Sequence, residues 1–208
     1  MKKRRKITME PQYNGHPILT SKSKNLGCDM KILDSIKRTL DHAISEKSRV
    51  MMVRYDVRLP DDCASDSNHI FSIAQADFMK HLRRQGLSPH YVAVREESQD
   101  KPHFHVALTL DHSKTKSPYK HLQKMEEIVS RKVSSVTGRD TQSGLVEFCN
   151  KDHNGNSQPN AHVISRHDPN SFDEAFERAS YLAKVNTKPE KRIRELFVSQ
   201  LNKRDKNS

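Results

Sequence analysis

The chain is short of cysteine, glycine and long apolar runs, and each shortage removes a class of protein. Its three cysteines, Cys28, Cys63 and Cys149, are scattered and form no C-x-x-C pair. A disulfide framework and a zinc ribbon are therefore excluded, and a reducing compartment, the cytoplasm, is expected. The six glycines nowhere form G-x-x-x-x-G-K-[ST], so no nucleotide-driven motor is encoded. No stretch has the apolar length needed to cross a bilayer, and ITMEPQYNGHPILT after the basic start MKKRRK is no signal-peptide core. No membrane partner is expected. Hydrophobic residues make up 33%, enough for a packed core if the flanking segments stay loose.

Acidic residues are also in deficit. Twenty-six Asp and Glu face 37 Lys and Arg, a net charge of +11 with a pI near 9.6. A polyanion is the expected partner, because neutralising phosphates releases condensed counterions. A length of 208 residues fits one domain with tails, or at most two small ones. Residues 1–28 mix charge, Pro, Gly, Asn and Ser without periodicity and read as a basic flexible arm. Residues 29–200 read as the folded domain and 201–208 as a basic C-terminal tail.

Periodicity orders that domain. Ile32, Leu33, Ile36, Leu40, Ala43 and Ile44 recur at helical spacing. In VMMVRYDVRLP (50–60), Met51, Val53, Tyr55, Val57 and Leu59 alternate with Met52, Arg54, Asp56 and Arg58, which predicts a strand with one polar face. A helix is expected over 70–85, stopped by Gly86, and YVAVREE and HFHVALTL form a hairpin. A third helix over 118–136, a short strand at GLVEF and a further strand at AHVIS follow. Ser171 and Glu174 form a capping-box start for the last helix. The pattern predicts an α+β fold: an antiparallel sheet with helices on one face and the other face open.

The chemistry-bearing residues gather at three places. In KPHFHVALTL (101–110), His103, His105, Ala107 and Thr109 share one strand face and Phe104, Val106, Leu108 and Leu110 the other. With 12 His in the chain, chance alone supplies about 0.7 His-x-His pairs, so the motif needs support. Glu96 lies across the hairpin turn from His103, and two imidazoles plus one carboxylate leave open positions on a divalent ion. Strand alternation favours Glu97 over Glu96 for the polar face, unless a bulge intervenes. On the last helix Phe172, Ala175, Phe176, Ala179, Leu182 and Ala183 form the apolar stripe, and Tyr181 falls about 180° from Phe172. A tyrosine off the core stripe, with Glu177 four residues before it and Lys184 three after, is a candidate nucleophile.

HFH (103–105) is similar to the His-hydrophobic-His motif of the HUH endonuclease superfamily of rolling-circle initiators, relaxases and single-strand transposases. Tyr181-Leu182-Ala183-Lys184 resembles its Y-x-x-K motif. VMMVRYDVRLP, YVAVREES, KPHFHVALTL and ASYLAKVNTK, in that order, resemble the inovirus replication-protein family that includes YagK/YfjJ-type C-terminal domains. The resemblance spans residues 31–188 and implies an RRM/ferredoxin-like HUH nuclease fold, with the active site on the open sheet face. That family carries its acid at the position of Glu96, which the resemblance therefore prefers to Glu97.

The implied activity is nicking of single-stranded origin DNA to start rolling-circle replication of a phage, prophage or mobile element. Tyr181 attacks the scissile phosphate and leaves a 3′-hydroxyl and a 5′-phosphotyrosine. His103, His105 and Glu96 hold Mg²⁺ or Mn²⁺, the ions suited to oxygen substrates. Lys184 lowers the phenol's pKa or holds the phosphate. Arg54 and Asp56 either position the DNA backbone or form an ion pair, and Lys188, with Lys191, Arg192 and Arg194, extends the basic surface. The chain lacks a second tyrosine at helical spacing, since 177 is Glu and 185 is Val. Glu177 takes the place where some single-tyrosine initiators carry a glutamate that activates water, and it equally suits an ordinary helix-surface position. Without a motor, unwinding falls to a helicase supplied in trans or to supercoiling.

Rival expectations are a single-strand transposase, a water-using phosphoesterase, and a non-catalytic nucleic-acid-binding or regulatory module. The other ten histidines lack a comparable pairing; His153, His162 or His167 would replace Glu96 if it does not ligate.

Overall fold

The structure is a computed structural model and describes residues 5–21, 23, 25–98, 101–140, 143–151, 155–159, 161–185 and 194–201. Four short strands come first: β1 (Ile7–Thr8), β2 (Gln12–Tyr13), β3 (His16–Pro17) and β4 (Cys28–Asp29). Then follow α1 (Met30–Glu46), β5 (Arg49–Arg58), α2 (Ser67–Arg84) and the hairpin β6 (His90–Ser98) and β7 (Lys101–Asp111). The chain continues through α3 (Tyr119–Thr137), β8 (Val146–Phe148), β9 (Ala161–Ser165), α4 (Pro169–Ser180) and β10 (Leu196–Val198). Helices and sheet are mixed and the strand pairings of the sheet are antiparallel, as the α+β pattern predicts. No helix among the described residues is long and apolar enough to cross a membrane.

The main sheet runs β10–β6–β7–β5. The outer edge of β5 is shared: β8 pairs with Tyr55–Val57 and β9 with Arg49–Val53. One face carries Met51, Val53, Tyr55 and Val57 with Phe104, Val106 and Leu108, packed under α2 and α3. Phe71 of α2 stacks on Phe104 at 4.0 Å between ring centroids, and such a pair adds about 0.5–1.5 kcal/mol beyond burial.

The helices divide between the two faces instead of gathering on one. Val50, Met52, Val92, Val94, Ala107 and Ile164, on the opposite face, pack against α1 and α4. β5 is consequently buried from Val50 to Val57 on both sides. The alternation of Arg54 and Asp56 had made this face look solvated. Its other positions are apolar, though, and two amphipathic helices need a sheet surface to cover.

The N-terminal segment is also not a flexible arm over its described residues. β2 and β3 form a hairpin closed by Asn14-Gly15, both at positive φ (50° and 83°) as a two-residue turn demands. β1 pairs with β4, and Arg5 bridges Asp29 (3.2 Å) and Glu195 (2.7 Å). His16 meets Asp173 of α4 at 2.6 Å, and Ile18 is buried. Gly27 is required by close approach, because a Cβ there would lie 2.5 Å from Ile7 Cγ2 and 2.8 Å from Met9 Sδ. Residues 1–4 and 202–208 lie outside the described residues.

Two helix starts show how local chemistry sets the boundaries. Asp29 caps α1 by accepting from Lys31 N at 2.9 Å. α4 begins at Pro169 with Asp168 as its cap, not at the expected Ser171–Glu174 box. Proline is pre-organised for the first helical position, which draws the start three residues earlier, with the cap at Asp168 in place of Ser171. Ser171 Oγ instead accepts from Ser165 N (2.9 Å) and donates to Asp168 O (2.6 Å), tying α4 to β9.

Candidate metal centre and nucleophile

Register brings the acid and the two histidines together without any bulge. Glu96 on β6 stands opposite His103 on β7, and His105 stands between Val94 on β6 and Asp56 on β5. All project from the face that carries α1 and α4. Glu97, the choice of strict alternation, lies on the other face beside Arg95 (2.8 Å). Val92 and Val94, which alternation marks as the core face, are buried on the site's own face, so Glu96 and not Glu97 shares it with the histidines.

Ligand atoms of Glu96, His103 and His105 all lie within 4.8 Å of one another. Glu96 Oε2 is 3.2 Å from His105 Nε2 and 3.8 Å from His103 Nε2. His105 Nδ1 lies 2.7 Å from Asp56 Oδ1, which leaves Nε2 as the ring nitrogen that faces Glu96. This carboxylate-backed imidazole is the orientation a metal ligand needs, and the donor set fits a divalent ion.

Electrostatics at the cluster are set by burial and pairing. Burial works against both charged forms, but the hydrogen bonds and charges of Asp56 and Glu96 outweigh it and raise the His105 pKa. Burial likewise opposes the Asp56 carboxylate, yet His105 and Arg54 hold its pKa below the ordinary value. A metal entering here competes with a proton whose affinity for His105 this pairing raises.

Tyr181 arrives from a distant part of the chain. α4 ends at Ser180, and Tyr181–Ala183 form a single tight 3₁₀ turn. The phenol ring meets His105 edge-on at 5.3 Å. The Arg54 guanidinium lies 4.3 Å from its centroid and Lys184 Nζ 4.2 Å. Burial raises the phenol's pKa; Arg54 opposes this, while Glu96, Asp56 and Cys149 add to it. The N-terminal segment buttresses this turn: Leu19 N donates to Ser180 Oγ (2.8 Å), Cys28 bridges Lys184, and Val185 N donates to Gly27 O (3.2 Å).

The remaining expected residues divide. Glu177 is half-buried one turn before Tyr181, and its carboxylate holds no hydrogen bond or ion pair among the described residues. Arg54 and Asp56, expected on a DNA-facing surface, are buried at 7% and 6% exposure. Asp56 orients His105 and Arg54 lies against Tyr181, because the helices cover the face on which both stand. Lys188, Lys191 and Arg192 lie outside the described residues, as does His153. Arg194 lies over Phe197 at 4.4 Å, and neither His162 nor His167 joins the cluster.

Two residues were missed. Cys149 donates its thiol to Asp56 Oδ1 at 3.3 Å, and burial pushes that thiol up to about 12. Arg178 donates to Cys149 O at 2.7 Å, and burial followed by Arg54 lowers its pKa. Arg178 stands three residues before Tyr181, a spacing that places it nearby; nothing in the sequence marks Cys149.

Residues 8–198 match the family described as the YagK/YfjJ C-terminal domain. The chain belongs to that family. Neither the curated proteins nor the solved structures compared with it gave a match. The matched range of this YagK/YfjJ C-terminal domain takes in Glu96, His103, His105 and Tyr181, and also the N-terminal strands that support the tyrosine turn.

Proposed function

We propose that the chain is a metal-dependent HUH-type endonuclease that nicks single-stranded DNA through Tyr181 and starts rolling-circle replication of a phage, prophage or mobile element. The observation that carries this reading is the contact of Tyr181 with His105, which joins a candidate nucleophile to a candidate metal centre across 76 residues of sequence. A binding module needs neither group.

In this reading the Tyr181 phenolic oxygen attacks phosphorus, the bond to the 3′-oxygen breaks, and the DNA keeps its 5′-phosphate on the tyrosine. The phenolic proton goes to solvent and the departing 3′-oxygen takes one up. Bound Mg²⁺ or Mn²⁺ would supply polarisation of the scissile phosphate oxygen. Glu96, His103 and His105 would hold it, and Asp56 keeps His105 turned toward it. Arg54 and Lys184, on the Tyr181 ring, offset negative charge as the phenolate and phosphate meet. The two acids that raise the Tyr181 pKa, Glu96 and Asp56, are the charges a divalent ion would neutralise. Glu177 is the candidate for activating water in strand release. Origin DNA, a helicase supplied in trans and a reducing cytoplasm, where Cys28, Cys63 and Cys149 remain free thiols, complete the proposal.

The test is incubation with single-stranded origin-bearing DNA and Mn²⁺, then denaturing electrophoresis and peptide mapping. An adduct on the peptide holding Tyr181, lost with chelator and in Tyr181→Phe, is expected. Cleavage without an adduct would assign the attack to water, and binding without cleavage would favour the regulatory module.

A further inference from the structure

A second constellation lies at the far end of the same sheet face. His42 and Glu46, one turn apart on α1, point together at His90, the first residue of β6. Ligand atoms of the three all lie within 4.8 Å of one another. Glu46 spans the two imidazoles, with Oε1 3.3 Å from His42 Nε2 and Oε2 2.9 Å from His90 Nε2. His42 Nε2 is buried yet makes no hydrogen bond among the described residues, so its approach to Glu46 lacks hydrogen-bond alignment. Two ligands that face a common point meet in that way.

We propose that His42, Glu46 and His90 form a second divalent-cation site, of the zinc type, that pins the end of α1 to the start of β6. Tetrahedral zinc with bonds of ~2.0–2.1 Å places neighbouring ligand atoms ~3.3 Å apart; His42 Nε2 lies 3.3 Å from Glu46 Oε1, while His90 Nε2 is hydrogen-bonded to the other carboxylate oxygen at 2.9 Å, a bond a cation would replace. Two imidazoles with one carboxylate form a borderline-soft set that suits zinc better than magnesium. The site's position favours a cation. Glu46 sits at the negative end of α1, whose last turn carries no basic residue. Lys47, next in the chain, is engaged with Asp111 at 3.3 Å.

The imidazoles are 13% and 12% exposed and the carboxylate 29%, which leaves the fourth position to water. His90 and Glu96 are six residues apart on β6, roughly 20 Å at strand rise, so the two centres share no ligand. The inference does not rest on the proposed nicking activity.

The test uses the untagged full chain, stripped with chelator, equilibrated with Zn²⁺ and passed over a desalting column before metal analysis. Wild type is expected to hold one more zinc per chain than Glu46→Gln, whatever the first centre contributes. His42→Gln serves as a second variant should Glu46→Gln fold poorly, and circular dichroism checks both. Zinc is also expected to raise the melting temperature of a His103→Ala/His105→Ala chain, in which the first centre is gone. Equal zinc content in wild type and both variants, or no zinc-dependent shift in that double variant, overturns the proposal.

Discussion

Asp56→Asn isolates the contact that would orient His105 as a metal ligand. The asparagine keeps an oxygen near His105 Nδ1, so the 2.7 Å hydrogen bond can persist. What disappears is the charge: charge-assisted bonds contribute about 1.5–3 kcal/mol and neutral ones about 0.5–1.5. The difference, about 1–1.5 kcal/mol, corresponds to roughly 10-fold weaker metal binding, the lower end of the range for supporting partners of metal-bound histidines. Arg54 also loses a neighbouring anion at 3.7 Å, and the resulting uncompensated buried cation adds to the cost in stability. Mn²⁺ titration of the chelator-stripped protein, followed calorimetrically, reads the affinity. A Cys149→Ala control, which removes only the weak thiol donor to the same oxygen, is expected to change affinity by less than about threefold. An Asp56→Asn affinity within twofold of wild type would refute the argument that Asp56 prepares His105.

Metal binding should release a proton and weaken by up to about 10-fold per pH unit once His105, raised above 6.5, is protonated; calorimetry in buffers of different ionisation enthalpy checks this. The metal-free protein behaves oppositely: the raised His105 contributes stability that is complete below pH 6.5 and lost as pH rises through its folded pKa. The depressed Asp56 contributes above the ordinary carboxylate value of 3.8 and loses its effect as pH falls through its folded pKa. A melting-temperature profile should therefore show the pair's contribution greatest between those ordinary values and flattened in Asp56→Asn. Tyr181→Phe keeps the ring against His105, Arg54 and Lys184, so stability should change by under about 0.5 kcal/mol while any DNA adduct vanishes. Gly27→Ala forces a methyl against Ile7 and Met9 and should destabilise by about 1–3 kcal/mol. Faster amide exchange around Leu19 and Val185 would show that the tyrosine turn loosens with it.

Legibility in the sequence followed the length of each element. α1, α2 and α3 were readable because several turns repeat the same apolar spacing, and β5 to β7 because their strands run nine to eleven residues. The N-terminal strands have two residues each, too few to show a period. Arg54 and Asp56 were legible as one polar face of β5, but their burial depends on α1 and α4, elements remote in the chain.

By itself, the sequence determined that His103 and His105 share a face, that an acid lies across the hairpin, and that Tyr181, just past the end of α4, stands off the apolar stripe running from Phe172 to Ala183. These are consequences of strand and helix periods, which act between near neighbours. Tertiary structure decided that Glu96 and not Glu97 meets the histidines, because both sheet faces are buried and polarity no longer marks a face. It also decided that Tyr181 reaches His105. That contact depends on the N-terminal strands, β9 and α4 packing together, and such long-range packing has no period that a local reading can detect.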